Sequence, residues 1–151
     1  MKSLNEVTNE TTSDGSIAGI GTLVEELDSA LDYMPEGVCD AARLEAFCDS
    51  FRRLHARIRM RQAATYINGP EDLSCPGHVR DWTRLREEYH PLMGMIDRLI
   101  RSVEANLASG VFDDELLYLR MKEIVAITRR HIAEEEHLFA SGVWDEIGGE
   151  S

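Results

Sequence analysis

A histidine and a glutamate four residues apart form the pair in this sequence that is best suited to chemistry. His131 and Glu135 stack on one face of any α-helix formed by their segment. That face also carries large apolar residues, so both polar side chains point towards a core. A buried carboxylate costs several kcal/mol unless it is paired, hydrogen-bonded or bound to a metal. Because imidazole and carboxylate at this spacing hold cations in helical bundles, the pair predicts a metal site. The alternative is a solvated acidic run, Glu134 to Glu136, that crosses the face.

Three further side chains are candidate ligands for the same ion. Tyr89 lies on the apolar face of the preceding helix and offers a phenolate oxygen. His90 takes its place if the following proline turns that histidine inward. His55 lies at the edge of the apolar face of an earlier helix. Oxygen and imidazole ligands suit iron, manganese or zinc, and ligation by Tyr89 would favour Fe(III).

Four amphipathic helices must position these residues. Apolar residues recur at spacings of three and four over residues 16–34, 40–67, 79–109 and 113–139. Asp40 and Asp113 or Asp114 are suitable N-caps, and Gly110 is a suitable C-terminal stop. Pro91 lies inside the third segment and predicts a kink or a break near residues 87–90. The pattern predicts an all-α fold, an antiparallel up-down four-helix bundle.

The chain ends are expected to differ from the bundle. Residues 1–15 are rich in Asn, Thr, Ser and Glu without a sustained period, which predicts a flexible polar arm. The bundle then covers residues 16–139. Ser141 and Gly142 are expected to end the fourth helix. Residues 140–151 form a short tail in which Trp144 and Ile147 fold back on the bundle end.

Composition excludes several classes of function. The chain has 151 residues, which suits one domain, and a net charge of −12. So acidic a protein is a poor ligand for nucleic acid or an anionic membrane, because both attract positive charge. No apolar run is long enough to span a membrane, and no secretory signal is evident. Three cysteines, Cys39, Cys48 and Cys75, are too few and too irregular for a disulfide scaffold. We therefore expect a cytoplasmic protein.

The first two helices resemble a divergent copy of the last two. Residues 23–27 (LVEEL) align with 85–89 (LREEY), and residues 52–56 (RRLHA) align with 129–133 (RRHIA). Both matches fall in the same order and on apolar faces. The alignment places Leu27 opposite Tyr89 in the copy. It also places Leu54 and Ile58 at the positions of His131 and Glu135.

Residues 129–139 (RRHIAEEEHLF) resemble the closing helix of the hemerythrin-like, or HHE cation-binding, domain family, and residues 85–99 resemble the helix before it. The resemblance covers about residues 16–139 and is closer in the second half. It implies a four-helix bundle around a non-haem di-iron centre, to which each half supplies a His and a His-x-x-x-Glu pair. Family members bind O2, sense oxygen or iron, handle NO or peroxide, or repair iron sites.

This chain departs from the family pattern at most ligand positions. Only His131 and Glu135 match the His-x-x-x-Glu pair, and Tyr89 replaces the single His unless His90 turns inward. The three corresponding positions in the first half are apolar, and a one-residue shift recovers His55 but puts Arg59 at the Glu position. Residues 52–61 of helix two carry five arginines, among which the family usually has acidic residues, namely Arg52, Arg53, Arg57, Arg59 and Arg61. The remaining donors suffice for one metal ion or none.

Three functions follow from this pattern. The first is a hemerythrin-like protein with a single non-haem iron or similar ion, held by His131, Glu135 and Tyr89 or His90, which senses or handles O2, NO or another redox ligand. The second is a metal-free interaction or regulatory module, whose arginine-rich helix would contact an acidic protein and whose acidic C-terminal end a basic one. The third binds haem, with His131 as axial ligand, or a small organic ligand in the core. Motifs for ordinary catalysis are missing from the sequence, and Cys48 is expected to be a core residue.

Overall fold

A computed structural model gives the architecture and describes residues 16–34, 40–68 and 76–148. These residues form four α-helices and no strands: α1 (Ile17–Asp32), α2 (Ala41–Asn68), α3 (Pro76–Ser109) and α4 (Asp114–Gly148). Each helix packs against the next in the chain, and α1 also packs against α4. The helices therefore close into a four-helix bundle. No helix in the described residues is long and apolar enough to cross a membrane.

Capping residues start and stop the helices, and two of them, Asp40 and Gly110, are the predicted ones. The Ser16 hydroxyl accepts a hydrogen bond from the backbone N–H of Gly19 at 2.9 Å, which caps α1. The Asp40 carboxylate caps α2 in the same way, accepting from the Arg43 N–H at 2.7 Å. Gly110 follows α3 with φ of 73°, a conformation that glycine adopts without a Cβ clash.

The apolar faces predicted from the sequence form the core. From residue 20 onward, all large apolar residues predicted to face inward on α1 and α2 are buried. Most of those predicted to face inward on α3 and α4 are buried as well. Leu23, Val125 and Ile132 widen these faces beyond the predicted positions. The largest fully buried side chains are Phe51, Ile20, Leu23, Leu31, Leu44, Leu54, Ile58, Ile96, Leu99, Met121, Ile124 and Val24.

Two helix boundaries differ from the prediction, and the kink or break expected near Pro91 is not a break. α3 begins at Pro76 rather than near residue 79, because proline is well suited to the first helical turn, where its missing N–H has no partner to lose. Helix α3 is also continuous through Pro91, so the chain has no break there. α4 continues to Gly148, through Ser141 and Gly142, so the expected stop at residue 139 is wrong and residues 140–148 do not fold back as a tail. A single internal glycine costs a helix only about 1 kcal/mol, which the surrounding turns tolerate.

The remaining predictions about the chain ends and links lie outside the described residues. They concern the polar arm of residues 1–15 and the cysteines Cys39 and Cys75. Cys48 is buried in the core as expected. Burial raises the pKa of its thiol, so the group is held in its neutral, unreactive form.

Candidate functional site

A polar cluster interrupts the apolar interior where α2, α3 and α4 meet. Each member occupies an inward position of its own helix, so the helical repeat alone brings them together. Arg61 lies one turn after the buried Ile58 on α2, and Tyr89 lies one turn after the buried Leu85 on α3. On α4 the buried stripe runs from Thr128 through His131 and Glu135 to Leu138.

Glu135 is the centre of the cluster and is 3% exposed. Its Oε1 accepts a hydrogen bond from Nε of Arg61 at 2.8 Å and forms an ion pair with Nη2 of the same guanidinium, 2.6 Å away. Its Oε2 accepts a short hydrogen bond from the hydroxyl of Tyr89. Both carboxylate oxygens are therefore occupied by donors from two other helices, and one of those donors carries a positive charge.

His131 joins the buried carboxylate to a second one nearer the surface. Its Nδ1 lies 3.2 Å from Oε2 of Glu88 on α3. Its Nε2 lies 3.5 Å from Oε2 of Glu135 and has no hydrogen-bond partner among the described residues. The imidazole also packs against the ring of Tyr89, with 4.3 Å between ring centroids and 56° between the planes. The half-buried Glu88 in turn accepts from Arg84, which extends the network to the surface.

The surroundings fix the protonation states of Glu135 and Tyr89, the two residues of the cluster that could offer oxygen ligands. Burial acts to raise the pKa of Glu135, but contact with His131, the charge of Arg61 and the Tyr89 hydroxyl outweigh it and lower that pKa. Burial, followed by the neighbouring carboxylate of Glu135, raises the pKa of Tyr89 far above its ordinary value. The cluster thus contains an ionised carboxylate and a neutral phenol.

The structure brings together three of the five predicted ligands. His131, Glu135 and Tyr89 are in mutual contact. His90 is exposed, and the continuous helix leaves Tyr89 as the inward residue. His55 lies at the α2–α3 surface, where its Nε2 is 3.2 Å from Oδ1 of Asp97, so it does not join the cluster.

The corresponding positions in the first half of the bundle hold no donors. Leu27, Leu54 and Ile58 are all buried, the last two completely. All three belong to the main apolar core. The side chains that the repeat alignment places at ligand positions therefore pack as ordinary core residues.

Arg61 is the residue that reasoning from the sequence missed. It is one of five arginines within residues 52–61, a pattern that usually marks a solvated face. Its spacing nevertheless gave a signal, because it follows Leu54 by seven and Ile58 by three residues and so continues the buried stripe. A cation on a core stripe opposite a glutamate on another core stripe predicts an ion pair.

The donor set does not fit a two-iron centre, because three of its positions are apolar. Within residues 16–34, 40–68 and 76–148, no group of three or more His, Cys, Asp and Glu side chains is placed to hold a metal ion. Tyr89, His131 and Glu135 offer one oxygen, one nitrogen and one carboxylate oxygen to a single ion, against the competing charge of Arg61. The cavity beside Tyr89 and Glu135 has about 10 Å³, close to the space of one water molecule. Haem needs roughly 300 Å³ or more, so this cavity cannot accept it without large rearrangement.

Comparisons with known proteins give no family for the chain. No protein-family model matches it, and neither a curated protein nor a solved structure does. The resemblance to the hemerythrin-like family therefore stays a prediction from the residues quoted above.

Proposed function

We propose that this chain is a hemerythrin-like four-helix bundle that works without a metal, as an interaction or regulatory module. One observation carries the proposal, namely the guanidinium of Arg61 hydrogen-bonded to Glu135 inside the bundle. A buried carboxylate is costly unless it is paired, hydrogen-bonded or bound to a metal. In this chain Arg61 supplies a positive charge to Glu135 from another helix of the bundle.

The rest of the cluster supports the same conclusion. The hydroxyl of Tyr89 donates a hydrogen bond to Glu135. Ligation of a cation through the phenolate oxygen would require loss of the hydroxyl proton. The raised pKa of Tyr89 opposes that loss. At the matching positions of the first half, apolar packing replaces coordination, and each such buried side chain contributes roughly 1.5–3 kcal/mol.

The proposal includes an antiparallel up-down arrangement of the helices. Contacts between early residues of one helix and late residues of the next support it. The guanidinium of Arg52 on α2 lies 3.6 Å from the carboxylate of Glu104, near the end of α3. Arg61, later on α2, contacts Glu135, which also accepts a hydrogen bond from Tyr89 in the first half of α3. A bend of α3 at Pro91 is part of the proposal too, because proline cannot donate to the carbonyl of Glu87, one turn earlier.

Metal analysis of the full chain tests the metal-free state. The protein is purified without a chelator or a metal-affinity tag and analysed by mass spectrometry for iron, manganese and zinc, together with a visible spectrum. We expect a colourless protein with far less than one ion per chain, whose melting temperature does not change on addition of EDTA. One ion per chain, with a melting temperature that falls in EDTA, would contradict the proposal.

A single-ion centre at Tyr89, His131 and Glu135 is the second candidate, and it would serve O2, NO or redox sensing. The observation that favours it is the buried Nε2 of His131, which points towards the Glu135 carboxylate without a hydrogen bond. This candidate predicts one iron per chain and a tyrosinate-to-iron absorption band. Glu135→Ala would then abolish metal binding, whereas His55→Ala, outside the cluster, would leave it unchanged.

A further inference from the structure

A groove between α1 and α4 has a volume of about 860 Å³. It lies away from the polar cluster. Its floor contains the buried apolar side chains Val24 and Ile132. Its walls are made by small residues, which leave the floor accessible: Ala18, Gly21, Thr22, Ser29 and Ala133. A Cβ placed on Gly21 would meet no atom within 4 Å, which shows that the space above the α1 wall is open.

The rim of this groove carries uncompensated negative charge. Among the described residues that line it, Arg129 is the only cation, and its guanidinium is already held by the carboxylates of Glu25 and Asp28 at 2.7–3.0 Å. Glu26 on α1 and Glu136 on α4 are both exposed and form no ion pair or hydrogen bond with another described residue. The groove therefore has an apolar floor between two free carboxylates.

The dimensions of the groove suit an α-helix. The α1 wall runs from Ala18 to Ser29, about 16 Å at 1.5 Å per residue, or three helical turns. An amphipathic helix laid in a groove places its apolar residues on the floor and its polar residues at the rim. Small wall residues allow close approach, and negative rim charges attract a helix that carries Lys or Arg on its flanks.

We propose that the α1–α4 groove is the docking site for a basic amphipathic helix of a partner protein. This inference rests on the proposed interaction function and names the chemistry of its partner. The charge of the rim distinguishes this occupant from two others. A second copy of this chain has a net charge of −12, and residues 1–15 contain one lysine against three acidic residues, so both would meet repulsion at the rim.

A labelled helical peptide tests the proposal on the full chain. The probe is a fluorescein-labelled peptide of about 15 residues with Leu and Ala at i, i+3 and i+7 and with Lys or Arg on both flanks. Its binding is followed by fluorescence anisotropy at two salt concentrations. We expect saturable binding that weakens as salt increases, and no binding of the same peptide with Glu in place of its basic residues.

Two variants assign the binding to the groove. Glu26→Lys combined with Glu136→Lys should weaken binding of the basic peptide at least about tenfold. Gly21→Leu, which fills the groove and favours the helix, should abolish it. The control is Glu45→Lys combined with Glu123→Lys, which makes the same change in net charge at exposed sites outside the groove and should alter affinity less than about twofold.

Other outcomes overturn the proposal. Equal weakening by the rim variant and its control would show that net charge alone attracts the peptide. Absence of binding would mean that the groove does not accept a basic helix, whether or not residues 1–15 fill it. Self-association of the chain that the rim variant abolishes would assign the groove to a second copy. None of these results depends on metal content, so the groove and the metal-free state succeed or fail separately.

Discussion

The two halves of this bundle use equivalent positions in opposite ways. In the first half, Leu27, Leu54 and Ile58 are packed into the apolar core. In the second half, the aligned positions hold a tyrosine, a histidine and a glutamate that form a buried polar cluster. The difference shows what a bundle interior requires of a carboxylate. A buried glutamate is accommodated where another helix supplies a cation. Where no cation is supplied, the aligned position holds an apolar side chain.

Within a single turn, helix α2 passes from the apolar core to the polar cluster. Ile58 is completely buried among apolar side chains, whereas Arg61, three residues later, contacts Glu135. The arginine is 17% exposed as a side chain, so its apolar stem crosses the core edge while the guanidinium meets the carboxylate. The same helix therefore completes the apolar core with Ile58 and neutralises the charge of Glu135 with Arg61.

Introduction of a carboxylate into the apolar half should have the largest effect. Ile58→Glu places a charge where the surrounding core supplies only apolar contacts, and we expect a loss of more than about 5 kcal/mol or an unfolded protein at pH 7. The measurement is urea unfolding, with Ile58→Met as the volume-matched control, which should cost less than about 1.5 kcal/mol. A loss for Ile58→Glu as small as that of the control would remove the contrast between the halves.

Removal of the cation from the polar half should have the next largest effect. Arg61→Met leaves Glu135 buried without its charge partner, and we expect a loss of about 3–5 kcal/mol in the free energy of unfolding. Arg59→Met is the matched control, because Arg59 is exposed on the same helix, and its loss should be within about 0.5 kcal/mol. Similar small losses for both variants would show that Arg61 does not stabilise the cluster.

Loss of the phenol hydroxyl should have a moderate effect. Tyr89→Phe keeps the ring contact with His131 but removes the donor to Oε2 of Glu135, and we expect a loss of about 1.5–3 kcal/mol. Thermal or urea unfolding measures it. Tyr118→Phe, at a partly buried tyrosine on α4 outside the cluster, should change stability by less than about 0.5 kcal/mol.

The smallest effect is the pH dependence contributed by Glu135. Its pKa is lowered in the folded protein, so its ionisation stabilises the fold above the unfolded-state pKa, about 4.3 for glutamate. That contribution is lost as the pH falls through the folded-state value. The difference in unfolding free energy between the wild type and Glu135→Gln should therefore be constant near neutral pH and decrease below about pH 4.3. A difference that grows in acid would reverse the sign of the shift.

Local patterns in the sequence predict most of the helices and their inward faces. Capping by Asp40 and the stop at Gly110 depend on neighbouring residues only, which is why they could be recognised. The continuation of α4 through Gly142 could not, because a single glycine weakens a helix without deciding where it ends. The importance of His131 and Glu135 follows from their position on an apolar stripe.

Arg61 was predictable in principle but not in practice. Its inward position follows from its spacing after Leu54 and Ile58, whereas its meaning depends on a glutamate 74 residues further along the chain. Local charge patterning favours a solvated arginine. Only the three-dimensional structure, in which the Arg61 side chain reaches across the bundle from α2 to α4, shows that Arg61 and Glu135 compensate each other.

A double-mutant cycle on Arg61 and Glu135 tests the central claim most directly. Unfolding free energies of the wild type, Arg61→Met, Glu135→Leu and the double variant are measured in EDTA, which removes any metal contribution. We expect each single variant to be strongly destabilised and the double variant to lose about 2–3 kcal/mol less than the sum of the two single losses, which is the coupling energy. Additive losses, or a wild type that unfolds in EDTA alone, would contradict the claim that an arginine compensates the buried carboxylate of this bundle.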